Sequence, residues 1–327
     1  MTEGRSARIA VLASGGDAPG MNACLRAVVR AGRQAGLDVL GVRRGYVGLI
    51  TGDMALLERQ DVSNLIQRGG IVLGTARCEE FYTPEGRARA GQVLREAGVA
   101  ALIVMGGDGS YRGALALAQE TGVSCLGVPA SIDNDTYGTD FCIGFDTAVN
   151  TALESIDRIR DTSEAFERPF FVEVMGRTSG AIALEVALAG GADDVVVPET
   201  PTDLDALCRL LQEGFRQGKS SLIVVVAEGD EEGGALTLAR RVGERIKSRH
   251  RVVVLGHVQR GGRPTARDRV LASKLGAAAV DAFLAGEENQ AVGEIGGRVH
   301  LTPLREAAER QKQTDRALLE LAYRLTR

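Results

Sequence analysis

The stretch RIAVLASGGDAPGMNACLRAVVRAGR, residues 8–33, carries the pattern that decides the fold. It begins with a short apolar run within Arg8–Ala13, which is typical of a β-strand covered on both faces. A glycine-rich turn follows, and from Met21 to Arg33 apolar residues recur with the 3.6-residue period of a helix. This stretch therefore predicts a strand, a turn and a helix in that order.

The same alternation continues along the chain. Further strands are predicted at Val39–Val42, Ala101–Met105, Cys125–Val128, Phe170–Met175, Val195–Val197, Leu222–Ala227 and Val252–Leu255. Helices are predicted at Ser110–Gln119, Ala181–Leu188, Leu204–Arg216, Leu236–Lys247 and Arg267–Leu284, and Arg305–Arg327 is predicted as one C-terminal amphipathic helix. Alternating strands and helices predict an α/β fold with mostly parallel sheets. Because the pattern centres on residues 8–130 and again on 165–230, we expect two similar three-layer α/β/α lobes with the active site in the cleft between them.

Composition excludes several classes of protein. The 327 residues carry 39 Lys plus Arg against 43 Asp plus Glu, and a net charge of −4 argues against nucleic acid as the main partner. The longest apolar run, Val99–Met105, is far shorter than the roughly 20 residues of a membrane span. The apolar run near the start is also too short for a signal peptide. Five cysteines without a CxxC pair indicate free thiols in a reducing compartment, so we expect a cytoplasmic protein.

Three loops that follow predicted strands carry candidate chemistry. Residues 14–20, SGGDAPG, and 106–110, GGDGS, would let a phosphate approach the backbone, and Asp108 could hold Mg²⁺. In SIDND, residues 131–135, Asp133 and Asp135 could serve as general base and metal partner. Each loop also has a structural alternative: a sterically required glycine turn, a capped turn or an Asx turn. None is a P-loop or a dinucleotide fingerprint.

Arginines beside small residues add a fourth signal, because a guanidinium matches phosphate oxygens. They are Arg77, Arg168, Arg177, Arg251 and Arg260, with His257 close to the last of them. Arginine outnumbers lysine 35 to 4 in this chain, so most arginines are expected to be solvated surface charges, and His257 could equally be an interior histidine. Only the combination with two acidic loops favours phosphoryl transfer.

Taken together, these segments resemble the bacterial ATP-dependent 6-phosphofructokinase family. The likeness covers nearly the whole chain in SGGDAPGMN 14–22, GYVGLI 45–50, GTAR 74–77, GGDGSYRGA 106–114, SIDND 131–135, GTD 138–140, IGFDTA 143–148, IDRIRDTS 156–163, VEVMGRTSG 172–180, VVVPE 195–199 and VLGHVQRGG 254–262. The resemblance implies a glycolytic kinase that uses Mg²⁺ and ATP to phosphorylate fructose 6-phosphate and is usually a homotetramer. It further implies a nucleotide-binding domain, residues 1–143 plus 258–308, and a sugar-phosphate-binding domain, residues 144–257 plus 309–327.

The resemblance also implies a role for each matching residue. Catalytic roles fall on Asp133 as proton acceptor and on Arg77 and Arg177, and metal roles fall on Asp108 and Asp135. ATP-binding positions are Gly16, Arg77, Cys78, Gly107, Asp108, Gly109 and Ser110. Sugar-phosphate positions are Ser131, Ile132, Asp133, Arg168, Met175, Gly176, Arg177, Glu228, Arg251, His257 and Arg260, with Arg168 and Arg251 supplied by a neighbouring subunit.

An effector pocket for ADP and phosphoenolpyruvate is implied at Arg26, Arg30, Arg59, Arg160, Asp193 and Lys219. Here the chain departs from the family, because Gln217, Ser220 and Ser221 replace residues that are often basic.

Members that use pyrophosphate carry Asp where Gly109 stands and Lys where Ala130 stands, so ATP is the expected donor. The alternatives are a pyrophosphate-dependent enzyme, a non-catalytic sugar-phosphate-binding regulator on the same fold, or a different kinase that shares only the GGDG loop.

Overall fold

The computed structural model describes residues 7–163 and 168–326. Its strands are β1 Arg8–Ala13, β2 Asp38–Val42, β3 Met54–Leu56, β4 Val99–Gly106, β5 Ser124–Pro129, β6 Arg168–Val174, β7 Asp194–Val196, β8 Ser221–Ala227, β9 Arg251–Val254, β10 Gln290–Ile295 and β11 Arg298–Pro303. Its α-helices are α1 Met21–Gln34, α2 Gly45–Thr51, α3 Pro84–Glu96, α4 Asp108–Thr121, α5 Phe145–Ser163, α6 Ala181–Gly190, α7 Leu204–Arg216, α8 Gly234–Ile246, α9 Ala266–Leu284, α10 Leu304–Glu309 and α11 Arg316–Thr326. Short 3₁₀ turns lie at Glu80–Tyr82 and Gly256–Arg260.

The chain divides into two compact units. Unit 1 lies within residues 1–131, 135–146 and 260–312, and unit 2 lies within residues 132–134, 147–259 and 313–327. The domains expected from the sequence have similar but not identical bounds, and the functions assigned to them stay a prediction. The segment 132–134, which contains Asp133, groups with unit 2 although the residues on both sides of it group with unit 1.

Unit 1 is built on a seven-stranded sheet in the order β11-β10-β5-β4-β1-β2-β3. The strands β10, β5, β4, β1 and β2 pair in parallel, whereas β3 and β11 pair antiparallel at the two edges. Alternate side chains of the central strands, such as Ala10 and Leu12, pack with α2, α3, α4 and α10 in one apolar cluster. Helices α1 and α9 pack against each other and contact β1 and β5, respectively.

Unit 2 is built on a four-stranded parallel sheet in the order β7-β8-β6-β9. Leu207 and Leu211 of α7 and Leu238 of α8 pack against Val224 and Val226 of β8. Helix α6 also contacts β8, and α11 contacts α6. The predicted α/β class with mostly parallel sheets is therefore confirmed, although the two sheets differ in size.

The predicted single C-terminal helix over Arg305–Arg327 is wrong. Helix α10 ends at Glu309 and α11 begins at Arg316. The Asp315 carboxylate accepts hydrogen bonds from the backbone N–H groups of Ala317 and Leu318, which starts the second helix locally. The buried side chains of α10 pack in the core of unit 1, whereas α11 belongs to unit 2. The two helices are therefore parts of different units.

The α-helices of the described residues range from 6 residues in α10 to 19 residues in α5 and α9. None of them is both long enough and apolar enough to cross a bilayer.

Candidate active site

Three loops of unit 1 meet where neighbouring parallel strands end. The Ser14 N–H donates to the Met105 carbonyl at 2.9 Å, and the Ser110 hydroxyl donates to the Ser14 carbonyl at 3.0 Å. The Ala130 N–H donates to the Gly106 carbonyl at 3.0 Å. The turn after β1, the GGDGS loop after β4 and the start of SIDND after β5 therefore form one cluster at the carboxyl edge of the sheet, where α/β proteins place ligands.

Asp108 is the first residue of α4, and its carboxylate is oriented locally. One oxygen accepts the Gly109 N–H at 2.6 Å and the other accepts Arg112 Nη2 at 2.8 Å. A side chain at Gly109 would have open space around it, since an added Cβ would lie 4.0 Å from its nearest neighbour. The helix N-terminus and this open space suit a phosphate group.

The donor set at this edge fits Mg²⁺ held together with substrate phosphates. The Asp108 side chain is 35% exposed, and Asp135 Oδ1 accepts the Ser131 hydroxyl at 2.9 Å. Within residues 7–163 and 168–326 no group of three or more His, Cys, Asp or Glu side chains is arranged for a metal. Mg²⁺ is commonly bound by one or two carboxylates plus phosphates, and that arrangement matches the residues present.

Gly16 lies against the guanidinium of Arg260. A Cβ added to Gly16 would lie 2.9 Å from Arg260 Nη1 and 3.0 Å from Cζ. The structure thus brings together a predicted nucleotide residue and a predicted sugar-phosphate residue, both of them in unit 1. The adjoining segment is tied to the same turn, because the Thr75 hydroxyl donates to the Gly15 carbonyl at 2.8 Å. Arg77 is exposed two residues beyond Thr75.

Three further predicted site residues, Cys78, Gly107 and Ile132, differ from one another in burial and in the residues they contact. Cys78 is half-buried beside the unit 1 core, and Gly107 is the N-cap of α4 with Ser131 alongside it. Ile132 is 3% exposed, so its side chain contributes packing rather than a polar contact.

A second cluster lies in unit 2 around Asp133. The Asp133 side chain is 6% exposed, and Arg177 Nε lies 3.5 Å from its Oδ2. The Arg177 N–H donates to Glu228 Oε1 at 2.9 Å. Asn134 and Arg177 both have left-handed backbones, with φ of 53° and 52°. Such conformations cost free energy in residues other than glycine and concentrate at functional sites.

Gln259 is a residue that the sequence reasoning missed. It is fully buried, its Oε1 accepts the Met175 N–H at 2.8 Å, and its Nε2 donates to the Ala148 carbonyl at 3.3 Å. It therefore fixes the start of the loop that carries Gly176 and Arg177. A signal was present, since Gln259 lies in the motif VLGHVQRGG between His257, which is exposed, and Arg260.

Arg168 and Arg251 lie at the opposite edge of the unit 2 sheet from Arg177. They begin β6 and β9, two strands that pair in parallel, whereas Met175 and His257 follow the ends of these strands. Seven residues of β6 separate the edges by roughly 20 Å at about 3.3 Å per residue. Arg168 and Arg251 line an open cavity of about 590 Å³ together with Arg240 and Arg249. One chain therefore does not bring these two arginines to Arg177.

Three of the predicted effector residues lie close together in unit 2. Lys219 Nζ pairs with Asp193 Oδ1 at 2.8 Å, and the other oxygen of Asp193 accepts the Ile223 N–H at 2.8 Å. Arg160 Nη2 donates to the Gly190 and Gly191 carbonyls at 2.5 Å and 2.9 Å. The buried Asp193 carboxylate is thus already engaged by its own chain.

The other three effector residues, Arg26, Arg30 and Arg59, belong to unit 1. Arg26 and Arg30 are one turn apart on α1. Burial, and then the like charge of Arg30, lower the pKa of Arg26. A bound anion would relieve this repulsion.

Comparison with known proteins gives one consistent result. The family described as Phosphofructokinase matches residues 8–283. The ATP-dependent 6-phosphofructokinase 1 of Thermus thermophilus is 58% identical over 315 residues, covering 96% of this chain and 98% of that protein. The structure of phosphofructokinase from Saccharomyces cerevisiae has a TM-score of 0.86 at 35% identity, and the match covers 98% of this chain but only 47% of the yeast chain. A pyrophosphate-dependent phosphofructokinase from Marinobacter aquaeolei has a TM-score of 0.83 at 26% identity, covering 94% of this chain and 86% of that one. The chain belongs to the phosphofructokinase family.

Proposed function

We propose that this chain is an ATP-dependent 6-phosphofructokinase. It transfers the γ-phosphoryl group of Mg-ATP to the 1-hydroxyl of fructose 6-phosphate and releases fructose 1,6-bisphosphate and ADP. The observation that carries the proposal is the Asp133 carboxylate, 6% exposed and 3.5 Å from the Arg177 guanidinium. A buried carboxylate beside a cation suits a general base that acts next to a phosphoryl group.

Asp133 takes the proton of the 1-hydroxyl as the oxygen of that hydroxyl bonds to the γ-phosphorus. The bond from the γ-phosphorus to the β,γ-bridging oxygen breaks, and ADP leaves with those electrons. Arg177 and Arg77 stabilise the negative charge on the phosphoryl group during transfer. Arg177 Nε also lies 3.5 Å from the Asp133 carboxylate, so the cation and the proton acceptor lie side by side.

ATP is bound by the loops at the carboxyl edge of the unit 1 sheet. The backbone of Gly107 to Ser110 and the N-terminus of α4 receive phosphate oxygens, and Gly16, Arg77 and Cys78 complete this set. Asp108 and Asp135 would hold Mg²⁺, which would neutralise phosphate charge. The open space at Gly109 and the small Ala130 support ATP over pyrophosphate as donor.

Fructose 6-phosphate is bound by a second set of residues. Ser131, Ile132, Met175, Gly176 and Glu228 position the sugar, while His257 and Arg260 bind its 6-phosphate. Arg168 and Arg251 bind the same phosphate from a neighbouring copy in a homotetramer. Arg168 and Arg177 lie at opposite ends of β6, so one chain cannot place both side chains on the same substrate. This separation supports the assignment of Arg168 and Arg251 to a neighbouring copy.

Effector binding is the second part of the proposal. The phosphate groups of ADP or phosphoenolpyruvate are bound by Arg26, Arg30, Arg59, Arg160 and Lys219. The enzyme acts in the cytoplasm, where glycolysis takes place. The pairing of Lys219 with Asp193 weakens the attraction of this set for anions. An Arg160→Ala variant that responds to both effectors as wild type does would contradict the assignment.

A coupled assay for ADP release with Mg-ATP and fructose 6-phosphate tests the main proposal. An unphosphorylated sugar in place of fructose 6-phosphate is run in parallel. Pyrophosphate in place of ATP is run as well and is followed by the formation of fructose 1,6-bisphosphate, because that reaction releases phosphate and no ADP. We expect turnover only with ATP and fructose 6-phosphate. Faster turnover with pyrophosphate would overturn the donor assignment, and no turnover with either donor would leave a binding protein instead of a kinase.

A further inference from the structure

The loops that follow β6 and β8 are joined by hydrogen bonds. The two strands are parallel neighbours, with Val174 opposite Ala227 at their ends. The Glu228 N–H donates to the Val174 carbonyl at 3.0 Å, and the Glu228 carboxylate accepts the Arg177 N–H at 2.9 Å. The loop that carries Arg177 therefore rests on the loop that begins at Glu228.

Gly229 is the point of closest approach between these loops. A Cβ added to Gly229 would lie 1.7 Å from the Arg177 carbonyl oxygen, 2.7 Å from the Arg177 carbonyl carbon and 3.3 Å from Thr178 Cα. These are backbone atoms, so no side-chain rotation can make room. The peptide group between Arg177 and Thr178 thus occupies the place of a side chain at position 229.

Neither the backbone φ nor burial requires glycine at position 229. Its φ lies outside the left-handed region, so an alanine could adopt the same backbone conformation, and the residue is exposed. The close approach of the Arg177 carbonyl is the remaining reason for the absence of a side chain.

The contact matters because the backbone of Arg177 is strained. A φ of 52° is unfavourable for arginine and persists only where its surroundings hold it. The turn is closed by the Ser179 N–H, which donates to the Gly176 carbonyl at 2.9 Å, and Gly229 lies against the Arg177 carbonyl. In this conformation Arg177 Nε lies 3.5 Å from Asp133 Oδ2.

We propose that Gly229 is a positioning residue for phosphoryl transfer, because its missing side chain allows the Arg177 peptide to hold the Arg177 guanidinium beside Asp133. The proposal rests on the function proposed above and adds a residue to it. A methyl group at position 229 requires the two loops to separate by at least 3.0 − 1.7 = 1.3 Å before the contact reaches the closest that real Cβ atoms show. Displacements of about 1 Å in catalytic groups cost up to about 100-fold in rate.

A double-mutant cycle with Gly229→Ala and Arg177→Ala tests the proposal. In the wild-type background, Gly229→Ala should lower kcat by about 10- to 100-fold. In the Arg177→Ala background the same change should alter kcat by less than about twofold, because the side chain that it displaces is already gone. Wild-type kcat in Gly229→Ala, or losses that multiply in the double variant, would overturn the proposal.

Gly218→Ala is the matched control, since Gly218 is an exposed glycine of unit 2 with no atom within 4 Å of the added Cβ. Its φ of 82° makes alanine unfavourable there, so the variant loses stability without moving Arg177, and it should keep its kcat. A Gly229→Ala variant that does not fold would also overturn the proposal, because the glycine would then serve the fold and not the position of Arg177.

The wild-type measurement separates this proposal from the proposed function. A wild-type chain that does not phosphorylate fructose 6-phosphate refutes the kinase assignment itself. An active wild type with an equally active Gly229→Ala variant refutes only the role of Gly229.

Discussion

Asp133 is the residue on which the proposed chemistry depends most directly. Replacing it by Asn keeps the size of the side chain but removes the basic oxygen, so kcat should fall by about 10²- to 10⁴-fold. The KM for fructose 6-phosphate should change only modestly, because the sugar keeps its other contacts. Steady-state kinetics with ATP and fructose 6-phosphate measure both quantities. Wild-type turnover in Asp133→Asn would show that another group accepts the proton.

Gly109 tests the nucleotide site at the same scale. An Asp side chain there would enter the open space at the N-terminus of α4 and repel phosphate oxygens, so Gly109→Asp should raise the KM for ATP at least about tenfold. Gly122→Asp, at the other end of the same helix and also in open space, is the control and should leave that KM unchanged. Equal KM values in all three proteins would place the nucleotide elsewhere.

At the scale of single elements, α7 has a clear start signal. The Asp203 carboxylate accepts the Ala206 N–H at 2.8 Å, and Leu207 and Leu211 of the helix pack in the unit 2 core. Asp203→Ala should therefore lower the free energy of unfolding by about 1 kcal/mol. Thermal unfolding at fixed protein concentration measures the loss, and Asp203→Asn, which keeps an acceptor oxygen, should behave nearly as wild type. An unchanged midpoint in Asp203→Ala would contradict a capping role.

Elements with a strong local pattern were predicted well. Both β1 and α7 have the predicted bounds. The reason is that a few consecutive residues are enough to identify a covered apolar strand or an amphipathic helix with a capping aspartate. Strands β3, β10 and β11 were missed. They are a three-residue strand and an edge hairpin, and the mostly exposed residues of β11 form a strand only because β10 lies beside it.

At the scale of the whole molecule, the position of Arg251 predicts shared active sites. Arg251→Ala and Asp133→Asn should each be nearly inactive alone, because each removes one half of every site. Mixed oligomers of the two should recover about a quarter of wild-type activity, since random pairing gives that share of sites with both halves intact. Mixtures that dissociate and reassociate but recover nothing would show that each chain acts alone.

Buried thiols predict how the stability of the whole chain depends on pH. Burial raises the pKa of Cys24 to about 12, that of Cys125 to about 12 and that of Cys142 to about 11, from an ordinary value of 9.0. A raised pKa in the folded state contributes stability that is fully present below pH 9 and is lost as the pH rises toward the folded value. Each thiol should remove about 1.4 kcal/mol between pH 8 and pH 10, because only the unfolded chain ionises there.

Urea unfolding of wild type and Cys24→Ala at pH 8 and pH 10 checks this expectation. The variant is less stable at pH 8 because it loses buried atoms, but its stability should fall less on raising the pH, by the share of one thiol. Identical losses in the two proteins would show that Cys24 ionises freely in the folded state.

The sequence by itself determined the α/β class, the loops at the ends of β1, β4 and β5, and the residue types of the candidate site. These follow from periodicity and motifs that extend over a few consecutive residues. Only the tertiary structure decided that Arg177 lies beside Asp133, that Arg260 lies against Gly16, and that the Arg177 peptide rests on Gly229. It also divided the C-terminal segment into two helices with separate cores. The physical reason is that these relations join residues far apart in the chain, and close packing across neighbouring strands sets their distances.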